Sequence, residues 1–288
     1  MKSKKTISIL VFGIAVLAFI ATVKGIFSSG GGGSFEFQSI HGQTVLIYGK
    51  GLYKNMSAAS APDGIAQDVV TLTLAIPMLL ISLYYWIKGS LKGKLFLAGT
   101  LMYFLFTYLL YMVLTMYNEY FLVYVALTSL CFFAFILIMT SFDVDKIYLR
   151  FSKKLPTNII GGFLIFIAIV VGLNWLNLIL TPLMDGSFVP ETLEHYTTMP
   201  VQGFDLAFML PTAFIAGVSL LKKKPFAYLI APVFTVFLVI MMTALSAKML
   251  GQLLRGTEGA LPVMFVFALF ASIAGYCSYL IMKNVKEV

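Results

Sequence analysis

The stretch "AQDVVTLTLAIPMLLISL", residues 66–83, decides the fold. After Asp68 it is almost entirely apolar, and with the residues up to 87 it can cross a hydrocarbon core about 30 Å thick. The same layout returns in "QGFDLAFMLPTAFIAGVSL", residues 202–220, where Asp205 precedes an apolar run with a proline inside it. The chain is therefore predicted to carry two membrane helices that begin alike.

The composition agrees with a membrane protein. Of the 288 residues, 60% are hydrophobic and 11% are charged, whereas soluble domains carry about 25% charged residues. We predict an all-α polytopic bundle, a single membrane domain over 1–288. Its eight predicted transmembrane helices are 6–27, 68–87, 95–115, 121–141, 158–180, 205–221, 227–248 and 262–282.

The basic residues predict the orientation. Fifteen of the twenty lie at the N-terminus, near 88–94, 146–154 and 222–224, and after residue 282. By the positive-inside rule both termini face the cytoplasm, in a cytoplasmic (plasma) membrane. The net charge of +8 thus reflects topology, and no nucleic acid partner is predicted. The predicted partner is the lipid bilayer, with a small solute or a protein as a further candidate at the outer face.

Two predicted outer loops are long, 28–67 and 181–204. The first opens with "SSGGGGS", which is typical of a flexible tether, natural or introduced. Two β-rich runs, 35–40 and 43–48, then flank His41-Gly42 and predict a small β-hairpin. In the second loop "PETLEHY" favours one short helical turn.

A parallel 4+4 internal repeat is predicted, with halves 1–156 and 157–288 related by an axis along the membrane normal. Helices 68–87 and 205–221 both follow a long loop, start at an aspartate and contain a proline, Pro77 or Pro211. Two points stand against the repeat. The spacing from aspartate to proline differs between the halves, and coincidence among apolar helices is the alternative explanation of their similarity.

Two interpretations of the aspartates remain open. Asp68 and Asp205 are suited to cap their helices at the outer boundary, where free N–H groups and the helix dipole favour a carboxylate. The alternative is an ionic cluster that joins either aspartate to Lys248 or Arg255 at the outer mouth of the bundle. Lys248 is predicted to close its helix and to extend toward the interface.

Other polar residues form patterns inside the predicted helices. Thr100, Tyr103, Thr107, Tyr111 and Thr115 follow helical spacing and form one stripe. Asn174 and Asn177 share a face three residues apart. Hydrogen bonds between helices are the favoured role of both sets, and ligand contact is the alternative.

The sequence contains no recognisable catalytic, metal or cofactor motif. His41 and His195 lie one in each long loop without metal-ligand spacing, and Cys131 and Cys277 lie in apolar runs. We therefore predict no cofactor, no metal and no catalytic residue.

Four stretches together resemble a group of uncharacterised bacterial integral membrane proteins. They are "GQTVLIYGKGLY", "DVVTLTLAIPMLLISL", "KGSLKGKLFLAGTLMYFLFTY" and "FDLAFMLPTAFIAGVSLLKKKPFAYLIAPV". The resemblance implies a bacterial cytoplasmic membrane setting and carries no activity or functional residue with it.

Three functions remain open at this stage. Transport or permeation of a small solute needs polar residues that converge between the halves. A sensor, regulator or accessory subunit would use the outer loops to meet a ligand or partner. A membrane-embedded enzyme would need an acid–base pair from Asp68, Asp205, His41 and His195.

Overall fold

A computed structural model describes residues 2–287; Met1 and Val288, the ends of the predicted single domain, lie outside the described residues. Within this range eight helices are long and apolar enough to cross a membrane, the predicted number. In chain order the helical elements are α1 (Lys2–Phe27), α2 (Ala61–Val70), π1 (Thr71–Ala75), α3 (Ile76–Ile87), α4 (Leu91–Leu114), α5 (Phe121–Thr140), α6 (Thr157–Asp185), α7 (Pro200–Phe204), π2 (Asp205–Met209), α8 (Leu210–Leu221), α9 (Ala227–Leu253) and α10 (Ala260–Lys283).

Two of the eight helices are interrupted in the same way. Each contains a five-residue π-helical segment, π1 or π2, which leads directly into a 12-residue α-helix. The second residue of that α-helix is a proline. Proline has no N–H, and its ring clashes with the carbonyl four residues earlier. The residue before each proline donates instead to the carbonyl five residues back, from Ile76 to Thr71 and from Leu210 to Asp205. A π turn thus absorbs each proline without ending the helix.

The prediction that Asp68 and Asp205 begin their helices is wrong. α2 starts at Ala61, with Pro62 in its first turn, and α7 starts at Pro200. Both aspartates therefore lie inside helices. Hydropathy alone placed each start at the first charged residue, although a helix can begin outside its apolar segment. α9 likewise continues to Leu253, so Lys248 does not close that helix.

The helices pack as two groups of four with the same neighbours. In the first group α1 contacts α2, α3 and α5, while α4 contacts α3 and α5. In the second group α6 contacts α8 and α10, while α9 contacts α8 and α10. The groups meet mainly through α4 and α9, the two most buried helices. Gly99 allows this approach, because a Cβ there would lie 2.5 Å from Val236 Cβ.

Contacts between the groups are also reciprocal. α2 of the first group packs on α9, and α7 of the second group packs on α4. In each group, the second membrane helix in chain order thus contacts the third membrane helix of the other group.

The predicted β-hairpin is present. β1 (Phe35–Gln38) pairs antiparallel with β2 (Thr44–Ile47), and the turn covers residues 39–43 rather than His41-Gly42 alone. The following residues Leu52, Tyr53 and Met56 are buried at the ends of the helices. The predicted helical turn in the second long loop is a 3₁₀ turn at Glu191–Leu193.

The glycine-rich segment is not a flexible tether. Gly33 N–H donates to Gly49 O at 3.1 Å, and Gly51 N–H donates to Gly30 O at 2.6 Å. A Cβ on Gly31 would lie 2.2 Å from Gly49 O, and both glycines have positive φ. Two stretches of backbone therefore pack so closely that only glycine fits. This contact holds the base of the hairpin against the end of α1.

The connecting segments gather at two ends of the bundle. We call one end the loop face; it holds 28–60, 115–120, 186–199 and 254–259, with hydrogen bonds such as Asn55 to Tyr117 and Ser60 to Glu194. We call the other end the basic face; it holds 88–90, 141–156, 222–226 and 284–287.

Candidate functional site

Asp68 is the most enclosed charged residue of the described chain. Its side chain is 1% exposed on α2. Tyr53 donates a hydrogen bond of 2.5 Å to Asp68 Oδ2, and Tyr111 on α4 donates one of 3.0 Å to Oδ1. Burial, and next the charge of Asp68, raise the pKa of Tyr53 well above its usual value. The phenol therefore keeps its proton and remains a donor to the carboxylate.

A glycine on α1 creates the space for this group. A Cβ on Gly25 would lie 1.8 Å from Asp68 Oδ2 and 2.9 Å from the Tyr53 hydroxyl. Because no side chain can occupy that position, the carboxylate packs directly on the α1 backbone. Gly25 thus belongs to the site, although it carries no polar group.

The hydroxyl stripe on α4 faces the first broken helix. Gln67 Nε2 donates to Tyr103 at 2.8 Å and to Thr107 at 3.3 Å, and Thr71 lies 2.8 Å from the Tyr103 hydroxyl. The predicted hydrogen bonds between helices are therefore formed at the centre of the stripe. At its ends, Thr100 and Thr115 bond to the backbone of their own helix.

Several buried polar atoms next to Asp68 have no hydrogen-bond partner among the described residues. They are Gln67 Oε1 and the hydroxyls of Tyr108 and Tyr124. Exchanging the oxygen and nitrogen positions of the Gln67 amide does not remove this unpaired atom, because one of its two polar atoms lacks a partner in either orientation. The cavities of about 440 Å³ and 620 Å³ in residues 2–287 are lined by other residues than the hydroxyl stripe.

Lys248 connects the two helix groups electrostatically. Lys248, a half-buried residue on α9, lies within electrostatic range of Asp63, Asp205 and Asp68. No acidic oxygen of the described residues lies within 4.0 Å of it. The structure therefore brings Asp68, Asp205 and Lys248 into electrostatic range, as a looser arrangement than a compact ion-pair cluster. We call Asp63, Asp68, Asp205 and Lys248 the interface group.

Asp205 is the first residue of π2 and belongs to the second helix group. Its Oδ2 accepts a 2.9 Å hydrogen bond from Trp175 Nε1 on α6. Asn174 and Asn177, on either side of Trp175, are exposed on α6, and the Asn177 side chain accepts a 3.4 Å hydrogen bond from Thr181. The sequence pointed to the two asparagines, but the residue that hydrogen-bonds to Asp205 is Trp175, which lies between them.

Asp63 on α2 completes the interface group from the loop face. Gln252 on α9 donates a 3.2 Å hydrogen bond to Asp63 Oδ1. Arg255 is exposed, donates to Ala58 O at 3.4 Å and interacts with the charge of Asp63. Sequence reasoning missed Asp63, although "APDG" has the proline and acid that mark a first helical turn.

The histidines do not join the aspartates. His195 Nε2 lies 3.1 Å from Asn55 O, and its ring packs on Phe37 and Tyr196. His41 lies in the hairpin turn. Across residues 2–287 no three His, Cys, Asp or Glu side chains are arranged to hold a metal ion. The recorded contacts of His195 thus go to the loop segments and not to Asp68 or Asp205, the residues that the enzyme alternative would have to combine with a histidine.

The arrangement can bind charge. Three acidic side chains lie within electrostatic range of Lys248, and each also accepts from a neutral donor: a glutamine, two phenols or an indole. Ionisable residues inside apolar helices are expensive to bury and mark binding or conduction sites by default. Tyr53 and Trp175 carried no sequence signal, because only folding brings them to the aspartates.

Comparison of this chain with protein-family models, with curated proteins and with solved structures finds no match.

Proposed function

We propose that the protein is a multi-pass membrane protein that transports a small solute between two four-helix halves. The eight long apolar helices support membrane insertion. The matching neighbours within each helix group and the reciprocal contacts between the groups support the parallel 4+4 repeat. Transport is favoured over sensing and catalysis by the features described next.

The observation that carries the proposal is the pair of broken helices beside the interface group. π1 and π2 interrupt helices that hold the second position in each half, and Asp68 and Asp205 lie at or just before them. Transporters built from repeats bind substrate at discontinuous helices where the repeats meet. π-helical segments also concentrate at functional sites.

The charges favour a solute with a cationic group. Asp63, Asp68 and Asp205 outnumber Lys248, and each has a neutral donor but no cation in salt-bridge contact among the described residues. A carboxyl group in an apolar surrounding ionises most favourably when a cation lies beside it, so these groups are suited to bind a cationic part of the solute. The Trp175 indole next to Asp205 adds an aromatic ring, which also attracts cations.

The location belongs to the same proposal. The lysines of the basic face support a cytoplasmic position for that face and for both termini. The loop face then lies outside, with Asp63 toward the outer mouth of the site. A bacterial cytoplasmic membrane is supported by the resemblance alone.

The first test is access to the interface from each side of a membrane. A single cysteine replaces Ala244, which is buried one turn deeper than Lys248 on α9, in a Cys131→Ser/Cys277→Ser background, and the protein is reconstituted into liposomes. A membrane-impermeant maleimide is applied from either face. Gly203→Cys, exposed toward the loop face, and Lys222→Cys, exposed on the basic face, are one-sided controls.

Transport requires the cysteine at 244 to react from both faces, since the site must open alternately. Reaction from the loop face alone would replace transport with the sensing alternative, and reaction from neither face would mean a sealed bundle. Uptake of a panel of small amines and amino acids is then measured. We expect Lys248→Met and Asp205→Asn to change uptake at least about tenfold, since each removes a charge from the proposed site.

A further inference from the structure

A cavity on the basic face, outside the interface group, combines a defined volume with a cluster of basic residues. It has a volume of about 440 Å³ and lies between the turn after α3, the segment 141–156 and the residues after α10. Trp86 and Phe142 form an apolar part of its wall. The cavity is therefore large enough for a small headgroup and has both polar and apolar walls.

Positive charge dominates the lining. Five basic residues line the cavity: Lys4, Lys94, Lys146, Arg150 and Lys286. Two acids line it, and Asp143 is engaged by Lys146 at 3.6 Å. Within the described part of the chain, the other four basic residues have no acidic oxygen within 4.0 Å. Four cations around one cavity without salt-bridge partners are suited to bind an anion.

The cations are held in place by uncharged contacts. Lys94 donates to Ser141 O at 2.8 Å, and its ammonium lies 4.0 Å from the centre of the Phe142 ring. Lys4 lies over the Trp86 ring at 5.8 Å. Such contacts orient an ammonium group without neutralising it, so its charge stays available to a ligand.

The second acid, Glu287, shows how the cavity holds an oxyanion. Its carboxylate accepts from the Ser90 hydroxyl at 2.6 Å and from the backbone N–H groups of Leu91 and Lys92 at 2.8 and 3.1 Å. Burial of Glu287 acts against the charge, but these donors and Lys92 outweigh it and lower the pKa of Glu287. The segment itself is anchored by backbone hydrogen bonds of 2.8 Å that join Ser152 to Asn284 and Lys286 to Arg150.

We propose that this cavity binds the phosphate group of an anionic ligand, a phospholipid headgroup or a free phosphate. Lys94, Arg150 and Lys286 hold the phosphate oxygens, as basic pockets between membrane helices do for anionic headgroups. Glu287 stays on the start of α4 and opposes the ligand by charge repulsion. The site is independent of transport through the interface group.

The test uses Trp86 as the reporter. Full-length protein in a neutral detergent is titrated with dihexanoyl phosphatidylglycerol, with dihexanoyl phosphatidylcholine and with inorganic phosphate, and tryptophan fluorescence is followed. Trp86→Phe removes the reporter, so any remaining change comes from Trp175. We expect a saturable change in wild type that Trp86→Phe abolishes.

Removing a basic or an acidic residue from the cavity should change the affinity for the anion in opposite directions. Lys94→Gln and Lys286→Gln should each weaken binding about tenfold, whereas Glu287→Gln should strengthen it several-fold. Lys222→Gln, exposed on the same face outside the cavity, should have no effect. A response to phosphatidylglycerol alone identifies a lipid headgroup, and a response to inorganic phosphate identifies a free phosphate. No saturable response, or equal weakening by Lys94→Gln and Lys222→Gln in folded protein, would overturn the proposal.

Discussion

Asp68 and Asp205 occupy similar backbones but different surroundings. Both lie in a helix that a π segment and a proline interrupt. Asp68 is 1% exposed and receives two phenol hydrogen bonds, whereas Asp205 is half-buried and receives one from an indole. The same helical interruption thus supports a sealed carboxylate in one helix group and an accessible one in the other.

The register of the two helices explains this difference. When Pro77 and Pro211 are aligned, Asp205 matches Thr71 and Asp68 lies three residues earlier, nearly one turn closer to the loop face. Asp68 therefore meets Tyr53, which enters from the segment after the hairpin. Asp205 has no counterpart to that segment and meets the helix surface of α6 instead.

The largest expected effect comes from the glycines that face these helices. A Cβ on Gly25 would overlap the Asp68 carboxylate at 1.8 Å, while a Cβ on Gly172 of α6 would meet Leu210 Cδ1 at an ordinary 3.7 Å. Gly25→Ala should lower the free energy of unfolding by about 3 kcal/mol, the upper range for overpacking. Gly172→Ala should change it by less than about 0.5 kcal/mol. Equilibrium unfolding in mixed micelles measures both, and equal effects would contradict the asymmetry.

Substitutions of the aspartates themselves should have the next largest effect on the free energy of unfolding. Asp68→Asn replaces an acceptor of two phenols by an amide whose NH₂ cannot accept, and should lower the free energy of unfolding by about 2 kcal/mol. Asp205→Asn keeps an acceptor for Trp175 and remains partly solvated, so we expect less than about 1 kcal/mol. Melting of the two variants in the same detergent tests the order. A larger loss in Asp205→Asn would show that the second site is the sealed one.

Double-mutant cycles sharpen the comparison at the level of single hydrogen bonds. Tyr53→Phe and Asp68→Asn should be non-additive by about 1 kcal/mol or more, because they remove one short hydrogen bond. Trp175→Phe and Asp205→Asn should couple by less than about 0.5 kcal/mol. Additive losses in the first cycle would mean that Tyr53 acts through packing rather than through its hydroxyl.

The smallest effect on stability is expected from the prolines. Pro77→Ala and Pro211→Ala each remove the clash behind a π segment, so both helices should relax toward regular α-helix with changes of about 1 kcal/mol or less. Hydrogen exchange at Ile76 and Leu210, which now bond five residues back, reports the change. A shift at one position only would show that the other π segment is set by its packing and not by its proline.

Much of the fold could be predicted from the sequence because it depends on local chemistry. Runs of apolar residues identified all eight long helices, and the β-rich runs around Gly42 identified the hairpin. Helix starts were misplaced, since Pro62 and Asp63 begin α2 outside the apolar run. The glycine segment was misread as a tether, because its contact with Gly49 joins residues that are distant in sequence.

The sequence alone determined three charged members of the site: Asp68, Asp205 and Lys248 stand out because ionisable residues are rare in apolar helices. Only the tertiary structure decided how each is used. Tyr53, Gly25, Trp175 and Gln252 come from four other segments, and nothing local marks them as neighbours of a carboxylate. Packing of α4 against α9 brings the two groups together. The long-range contact of Tyr53 with Asp68, which Asp205 lacks, separates a sealed aspartate from an accessible one.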